Sequence, residues 1–311
     1  MANFLITGGA GFIGSNIAHK LLEEGYNVKI IDNFSTGNKK NIEDVVDRIE
    51  FFEGDIRDIK LLSRIMEDVD YVLHQAAIPS VPRSIKDPVL SNDANVAGTL
   101  NVLVAARDIG VKRVVYASSS SVYGDTTTLP KKEDMIPNPK SPYAITKLTG
   151  EYYCKVFYEI YGLETVSLRY FNVFGPRQDP KSQYSAVIPR FITAMLNDTR
   201  PEIYGDGLQT RDFSYVENVV DANILACKSE NVTGGVFNIA CGKRINLNDL
   251  ADILNKILNK NIKPIYAEPR QGDVKHSLAD ISRAREILGY EPKYDLEKGL
   301  RETVGWFKKN G

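Results

Sequence analysis

The chain has 311 residues, 43 % hydrophobic and 25 % charged, with a formal net charge of −1. That length supports one large α/β domain or two lobes with an ample core, and the near-neutral balance gives no electrostatic case for nucleic acid or a membrane surface. The N-terminus enters an apolar strand directly, without a basic segment, and no apolar run reaches about 18 residues, so a soluble cytoplasmic protein is expected.

Phe4-Leu5-Ile6 reads as a buried strand. Gly8, Gly11 and Gly14 follow at spacing three, and Ile17, Ala18, Leu21 and Leu22 then keep a helical period that stops at Gly25. The glycines therefore occupy a strand-to-helix turn. Such a turn must bend sharply, let the backbone approach a pyrophosphate, and leave free N–H groups at the helix start to hold its charge. Val28 to Ile31 is a second strand ending at Asp32, 18 residues past Gly14. An acid there accepts hydrogen bonds from the adenosine ribose and repels a 2′-phosphate, which favours NAD. Gly8, Gly11, Phe12, Ile13, Gly14, Asp32 and Asn33 are the first candidate cofactor residues.

A polar loop from Asn33 to Lys40 could close over the adenosine. Ile49 to Glu53 is a third strand, running into Gly54-Asp55-Ile56, and Asp58 caps a helix through Met66. Tyr71 to His74 is a fourth strand, followed by Gln75-Ala76-Ala77, whose small side chains suit a flat ligand. Asn95 to Ile109 reads as a helix and Arg113 to Ala117 as a fifth strand. The alternation predicts a doubly wound, Rossmann-type α/β parallel sheet with helices on both faces and ligands beyond the carboxyl ends of its strands. Asp55, Ile56, Ala76, Ala77, Asn95 and Tyr170 extend the cofactor set.

The alternation loosens after Arg169. Residues 1–169, with returning segments at about 213–240, are expected to form the cofactor domain, and 170–212 with 241–311 a smaller, discontinuous α/β substrate lobe. Val216 to Lys228 reads as another long helix of the cofactor domain, and Asn248 to Leu258 and Leu296 to Lys309 as amphipathic helices of the smaller lobe. The three cysteines (Cys154, Cys227, Cys241) and three histidines (His19, His74, His276) are scattered, so neither a disulfide framework nor a metal site is expected.

The fifth strand runs into Ser118-Ser119-Ser120-Ser121, and a later helix carries Tyr143 and Lys147. At i and i+4 these two share one helix face. An ammonium there, with the positive nicotinamide, is expected to pull the tyrosine pKa down toward neutrality and make it a base. A serine hydroxyl at the strand end could orient the substrate oxygen. Tyr294 and Lys298 repeat the spacing, without a serine cluster or sheet edge before them.

Thr7-Gly8-x-x-Gly11-x-x-Gly14, Asp32, Gly54-Asp55, the serine cluster and Tyr143-x-x-x-Lys147 together resemble the extended short-chain dehydrogenase/reductase family, over essentially the whole chain. Arg169 to Pro176, Gln209 to Phe213 and Arg270 to Asp273 resemble its nucleotide-sugar branch, most closely the UDP-glucose/UDP-N-acetylglucosamine 4-epimerases. The resemblance implies NAD as transient hydride acceptor, Tyr143 as base, Lys147 on the nicotinamide ribose and Ser119 on the sugar oxygen. It also implies Asn172 on the sugar and diphosphate, Arg211 and Arg270 on the diphosphate, and Asp273 on the uridine ribose. Ser80, Arg83, Ser120, Ser121, Val187 and Tyr204 complete the substrate set. Dehydratases and decarboxylases of the branch carry acids where this chain has Ser120 and Ser121, which places those reactions below epimerisation. A UDP-glucuronate 4-epimerase keeps a similar serine motif, and a non-catalytic NAD-sensing protein of this fold usually loses the Tyr or Lys. Ser277 stands where a family tyrosine can crowd the sugar 2-substituent, so room for an N-acetyl group is expected. Members usually pair through two helices, here Asn95 to Ile109 and Tyr143 to Tyr161, so a homodimer is expected.

Overall fold

The computed structural model describes residues 1–180, 186–230, 232–269 and 274–310. Six strands, β1 (Asn3–Thr7), β2 (Asn27–Asp32), β3 (Glu50–Glu53), β4 (Tyr71–His74), β5 (Arg113–Ser119) and β6 (Glu164–Tyr170), join Gly235–Ile239 in one sheet. Its order is Gly235–Ile239, β6, β5, β4, β1, β2, β3, and every pairing is parallel. The continuous apolar character of β1 follows from this position. Phe4 and Ile6 face one hydrophobic cluster with Ile17 and Leu21, while Leu5 faces the other with Val72, Leu103 and Phe157. The chain winds away from β1 in both directions, so the order reverses between β1 and β4. That is where a doubly wound sheet opens a crevice.

Local chemistry sets the helices around it. Asp58 caps Ile59–Ile65 by accepting from the Lys60 and Leu61 amides. Ser141 caps Pro142–Tyr161 by accepting from Ala144 N, with proline at the first helical position, and Gly162 ends the helix at φ 72°. The expected Asn95 helix differs in detail. Asp93–Ala97 is a wider π turn, and the α-helix proper runs over Gly98–Ile109. Two short helices, Val81–Lys86 and Pro88–Asn92, were not legible in the periodicity; Ser80 and Asp87 cap them.

Beyond β6 the chain builds two-residue and three-residue pairings: Val173–Phe174 with Ser214–Tyr215, Thr210–Arg211 with Ile245–Asn246, and Glu202–Tyr204 with Ile265–Ala267. Helices Val187–Leu196, Leu247–Leu258 and Leu296–Asn310 pack around them. Asp212 knots this region by accepting from the amides of Cys241, Gly242 and Ala279, and burial pushes its carboxyl up to about 6 against those bonds. No helix among the described residues is long and apolar enough to cross a membrane.

Candidate active site

A crevice of about 1870 Å³ opens at the carboxyl ends of the central strands. Single small-molecule sites occupy about 300–1,000 Å³, so there is room for two ligands side by side. Gly8, Gly11, Phe12, Ile13, Gly14, Asp32, Asn33, Asp55, Ile56, Ala76, Ala77, Tyr143, Lys147 and Tyr170 all line it. At Gly8, φ is +70° and a Cβ would stand 2.7 Å from the Ala76 backbone; at Gly14 a Cβ would strike the Gly8 carbonyl oxygen. The helix Phe12–Glu23 has no side-chain cap at Gly11, so its first amides are left for a ligand. These features fit a dinucleotide pyrophosphate.

Asp32 is buried, and its two oxygens already accept from Ala10 N (2.9 Å) and Phe34 N (2.8 Å). Burial raises its pKa, and those amide bonds oppose the rise. A ribose would therefore bind the remaining lone pairs of a carboxylate that is held in place beforehand. Asn33 donates to Asp55 at 2.7 Å, and the Arg57 guanidinium holds the Asp55 carboxyl down at about 2. Arg57, Gln75 and Arg177 also line the crevice and were not singled out from the sequence. Only their places beside Gly54-Asp55, Ala76 and Gly175-Pro176 could have flagged them.

Asn95 is a correction. It is 1 % exposed and lies behind the crevice wall, its carboxamide accepting from Ile78 N at 2.8 Å and donating to Thr146 Oγ1 at 3.1 Å. Its neighbour Ala94 lines the crevice instead.

Ser119 ends β5, its hydroxyl hydrogen-bonded to Tyr143 and accepting from Ser121 N at 3.2 Å. Lys147 is buried, donates to the Ala117 carbonyl at 2.7 Å, and lies 5.1 Å from the Tyr116 ring centroid and 6.0 Å from that of Tyr143. The ammonium by itself does not lower the Tyr143 pKa; the expected depression also called on the positive nicotinamide. Burial dominates and pushes the phenol up to about 12, with only the Ser119 bond opposing. The same burial pulls Lys147 down to about 8. The ammonium is engaged by the strand end and the Tyr116 face, so it acts on the phenol only from across the ring. Beneath it Glu151 pairs with Arg169 at 2.7 Å and accepts from Ser118 Oγ, which locks the helix against β5 and β6.

A second cavity, about 220 Å³, adjoins the crevice and is lined by Val187, Tyr204, Gln209, Arg211 and Phe213 among others. Asn172, at φ +35°, lines both spaces and donates to the Asp212 carbonyl at 3.2 Å. Ser80, Arg83 and Ser120 line the crevice, and the buried Ser121 hydroxyl has no hydrogen-bond partner among the described residues. Ser277 is buried with its amide donating to the Thr210 carbonyl, and it is not among the residues lining either space. Arg270 and Asp273 lie outside the described residues. The second Tyr-x-x-x-Lys match, Tyr294 to Lys298, contributes nothing to the crevice. Among the described residues no three His, Cys, Asp or Glu side chains are grouped to hold a metal ion.

A parallel sheet of this order, with a glycine turn at its switch point and a Ser–Tyr–Lys group across the crevice, defines a Rossmann-type dinucleotide-dependent enzyme architecture. The chain belongs to the NAD-dependent epimerase/dehydratase family, whose model matches residues 4–240. It is 44 % identical over 308 residues to a putative UDP-glucose 4-epimerase of Methanocaldococcus jannaschii, covering 98 % of each chain. Among solved structures it resembles the UDP-N-acetylglucosamine 4-epimerase of Methanobrevibacter ruminantium in complex with UDP-N-acetylmuramic acid (TM-score 0.95, 44 % identity, 100 % of this chain and 99 % of that one). It also resembles the Thermotoga maritima UDP-glucose 4-epimerase with UDP-glucose (TM-score 0.94, 40 % identity, 99 % of each chain).

Proposed function

We propose that the protein interconverts UDP-hexoses at C4, taking UDP-glucose/UDP-galactose and UDP-N-acetylglucosamine/UDP-N-acetylgalactosamine through a 4-keto sugar. The carrying observation is the convergence of Ser119, Tyr143 and Lys147 with the dinucleotide residues in one crevice that adjoins a cavity lined by Asn172 and Arg211. When bound, NAD supplies the acceptor, and then the donor, of the C4 hydride. Tyr143 takes the proton of the sugar 4-hydroxyl and returns it, and Ser119 hydrogen-bonds the same oxygen. Lys147 holds the nicotinamide ribose and lends positive charge to the phenolate, which the buried site would otherwise disfavour. Arg211 and Arg270 grip the diphosphate with planar, permanently charged donors, and Asp273 holds the uridine ribose. Ser80, Arg83, Ser120 and Ser121 border the sugar, while Val187 and Tyr204 border the nucleotide. The 4-keto sugar turns over in the site and presents its other face, which gives the epimer with no net redox change.

The test is an NMR spectrum of each UDP-sugar with purified protein and no added reductant. New epimer signals settling to an equilibrium mixture are expected. Turnover of UDP-glucuronate alone would move the assignment to a glucuronate epimerase, and no epimer from any of the three would overturn the reading. Small Ser277 lines neither space, so its expected part in substrate width calls for a direct test. Its replacement, Ser277→Tyr, should cut turnover of the N-acetyl sugar at least tenfold while sparing UDP-glucose, and equal loss of both would remove the residue from the sugar site.

The substrate lobe proposed here comprises 170–212 and 241–311, and the cytoplasm is the proposed compartment. A homodimer is proposed through Gly98–Ile109 and Pro142–Tyr161. Ile145, Tyr152 and Val156 on the second helix are 53 %, 57 % and 40 % exposed, an apolar stripe that a second copy would cover. Sedimentation analysis should give twice the chain mass.

A further inference from the structure

His74 ends β4, is 1 % exposed, and takes no part in the chemistry above. Its two ring nitrogens meet Thr7 Oγ1 at 2.6 Å (Nδ1) and Thr99 Oγ1 at 2.9 Å (Nε2). The proton positions follow from the neighbours. Thr99 gives its hydroxyl proton to the Asn95 carbonyl at 2.6 Å, so its oxygen accepts from His74 Nε2–H. Nδ1 then carries a lone pair and accepts from the Thr7 hydroxyl, whose oxygen accepts in turn from Ala76 N at 3.2 Å. Only a neutral imidazole satisfies every partner. Burial, together with the Lys147 charge, pulls the His74 pKa down to about 3, so the ring stays neutral across the working range.

The assembly reaches both halves of the site. Through Thr7 it sets the end of β1 and the Ala76 backbone on the crevice wall. Through Thr99 it meets Asn95, which fixes Ile78 N at 2.8 Å and passes by Thr146 to the Tyr143 carbonyl at 2.8 Å. On its face, His74 packs at a tilt against Tyr116 with centroids 5.6 Å apart, and Tyr116 carries Lys147 over its own ring. Lys147 and Tyr116 are the titratable groups that face His74 from the helix and from β5. A fully satisfied buried polar chain of this kind fixes geometry more than it adds stability.

We infer that His74 is a positioning residue for the reaction: it holds the wall Ala76-Ala77-Ile78 against the cofactor and the Tyr116 seat of Lys147 in one uncharged assembly. This rests on the reading of Tyr143 and Lys147 as the working pair. The test is His74→Phe, which keeps a flat ring and removes both hydrogen bonds. Turnover per NAD-loaded site should fall about 10- to 100-fold with KM for UDP-glucose within about threefold, the size expected of a small misplacement. The acid limb of the kcat profile should move to higher pH, because the displaced ammonium supports the phenolate less. Unchanged kcat per loaded site with an unchanged pH profile would reduce His74 to packing and overturn the inference. Should His74→Phe fail to fold, Thr99→Val removes the Nε2 acceptor together with the Thr99 bond to the Asn95 carbonyl while leaving the Thr7 bond in place, and an unaltered pH profile there overturns the inference equally. Failure of the underlying reading is separable, since it would appear as undiminished turnover by Tyr143→Phe.

Discussion

Two stretches of this chain carry the same spacing, Tyr143 to Lys147 and Tyr294 to Lys298, and the molecule uses them differently. In the first, both residues sit on one helix behind the end of β5, the lysine buried and hydrogen-bonded to Ala117. In the second, Tyr294 precedes the helix Leu296–Asn310, packs at a tilt against Tyr215, and carries an exposed Lys298 at 4.0 Å from its ring centroid. Asn218 holds the Tyr294 backbone from both sides. Spacing decides whether two side chains can meet. Burial decides whether their chemistry changes, because removal from water pushes the Tyr143 phenol up to about 12 and pulls the Lys147 ammonium down to about 8.

The sharpest way to break the comparison is to remove each phenol. Tyr143→Phe should lower kcat about 10²- to 10⁴-fold, the range for a positioned general base, whereas Tyr294→Phe should leave it within about twofold. Similar losses from both would end the distinction. A second probe attacks the burial itself. Arg169→Met leaves Glu151 unpaired under Lys147 and should cost about 3–5 kcal/mol in denaturant unfolding. A loss below about 1 kcal/mol would show that the ion pair does not lock this helix.

The smallest effect concerns protons and stability. Lys147 titrates at about 8 in the folded chain, below about 10.4 for an ordinary lysine. Between those values the unfolded state binds more protons than the native one, so this residue makes stability rise with pH across the window. The Lys147→Met protein should lack that rise while Lys298→Met keeps it, as read by chemical denaturation at pH 8 and pH 10. A parallel response of both variants would place the lysines in equivalent surroundings.

Much of the site was legible because it follows backbone periods. The glycine spacing, the acid at the end of β2, and the i, i+4 tyrosine and lysine depend only on local geometry. The residues read from them line one crevice, apart from Asn95. Asn95 was misplaced because a π turn over Asp93–Ala97 shifts which side chain faces the ligand, and nothing in an apolar period reveals one extra residue in a turn. The weight of the ammonium on the Tyr143 phenol was not legible for a related reason. Spacing brings an ammonium near, and it says nothing of the carbonyl and aromatic ring that engage it.

By itself, then, the sequence determined the alternating sheet and helices, the phosphate turn and the partners on one helix face, since each is a repeat of 2, 3.6 or a glycine requirement within about twenty residues. Only the tertiary structure decided that Thr7, His74 and Thr99 share protons, that Asp32 is held by Ala10 and Phe34, and that Ser277 lies behind Thr210. The Thr7–His74 bond spans 67 positions of chain. Such contacts exist because the sheet register sets Thr7 opposite His74, and register is fixed by packing over the whole core.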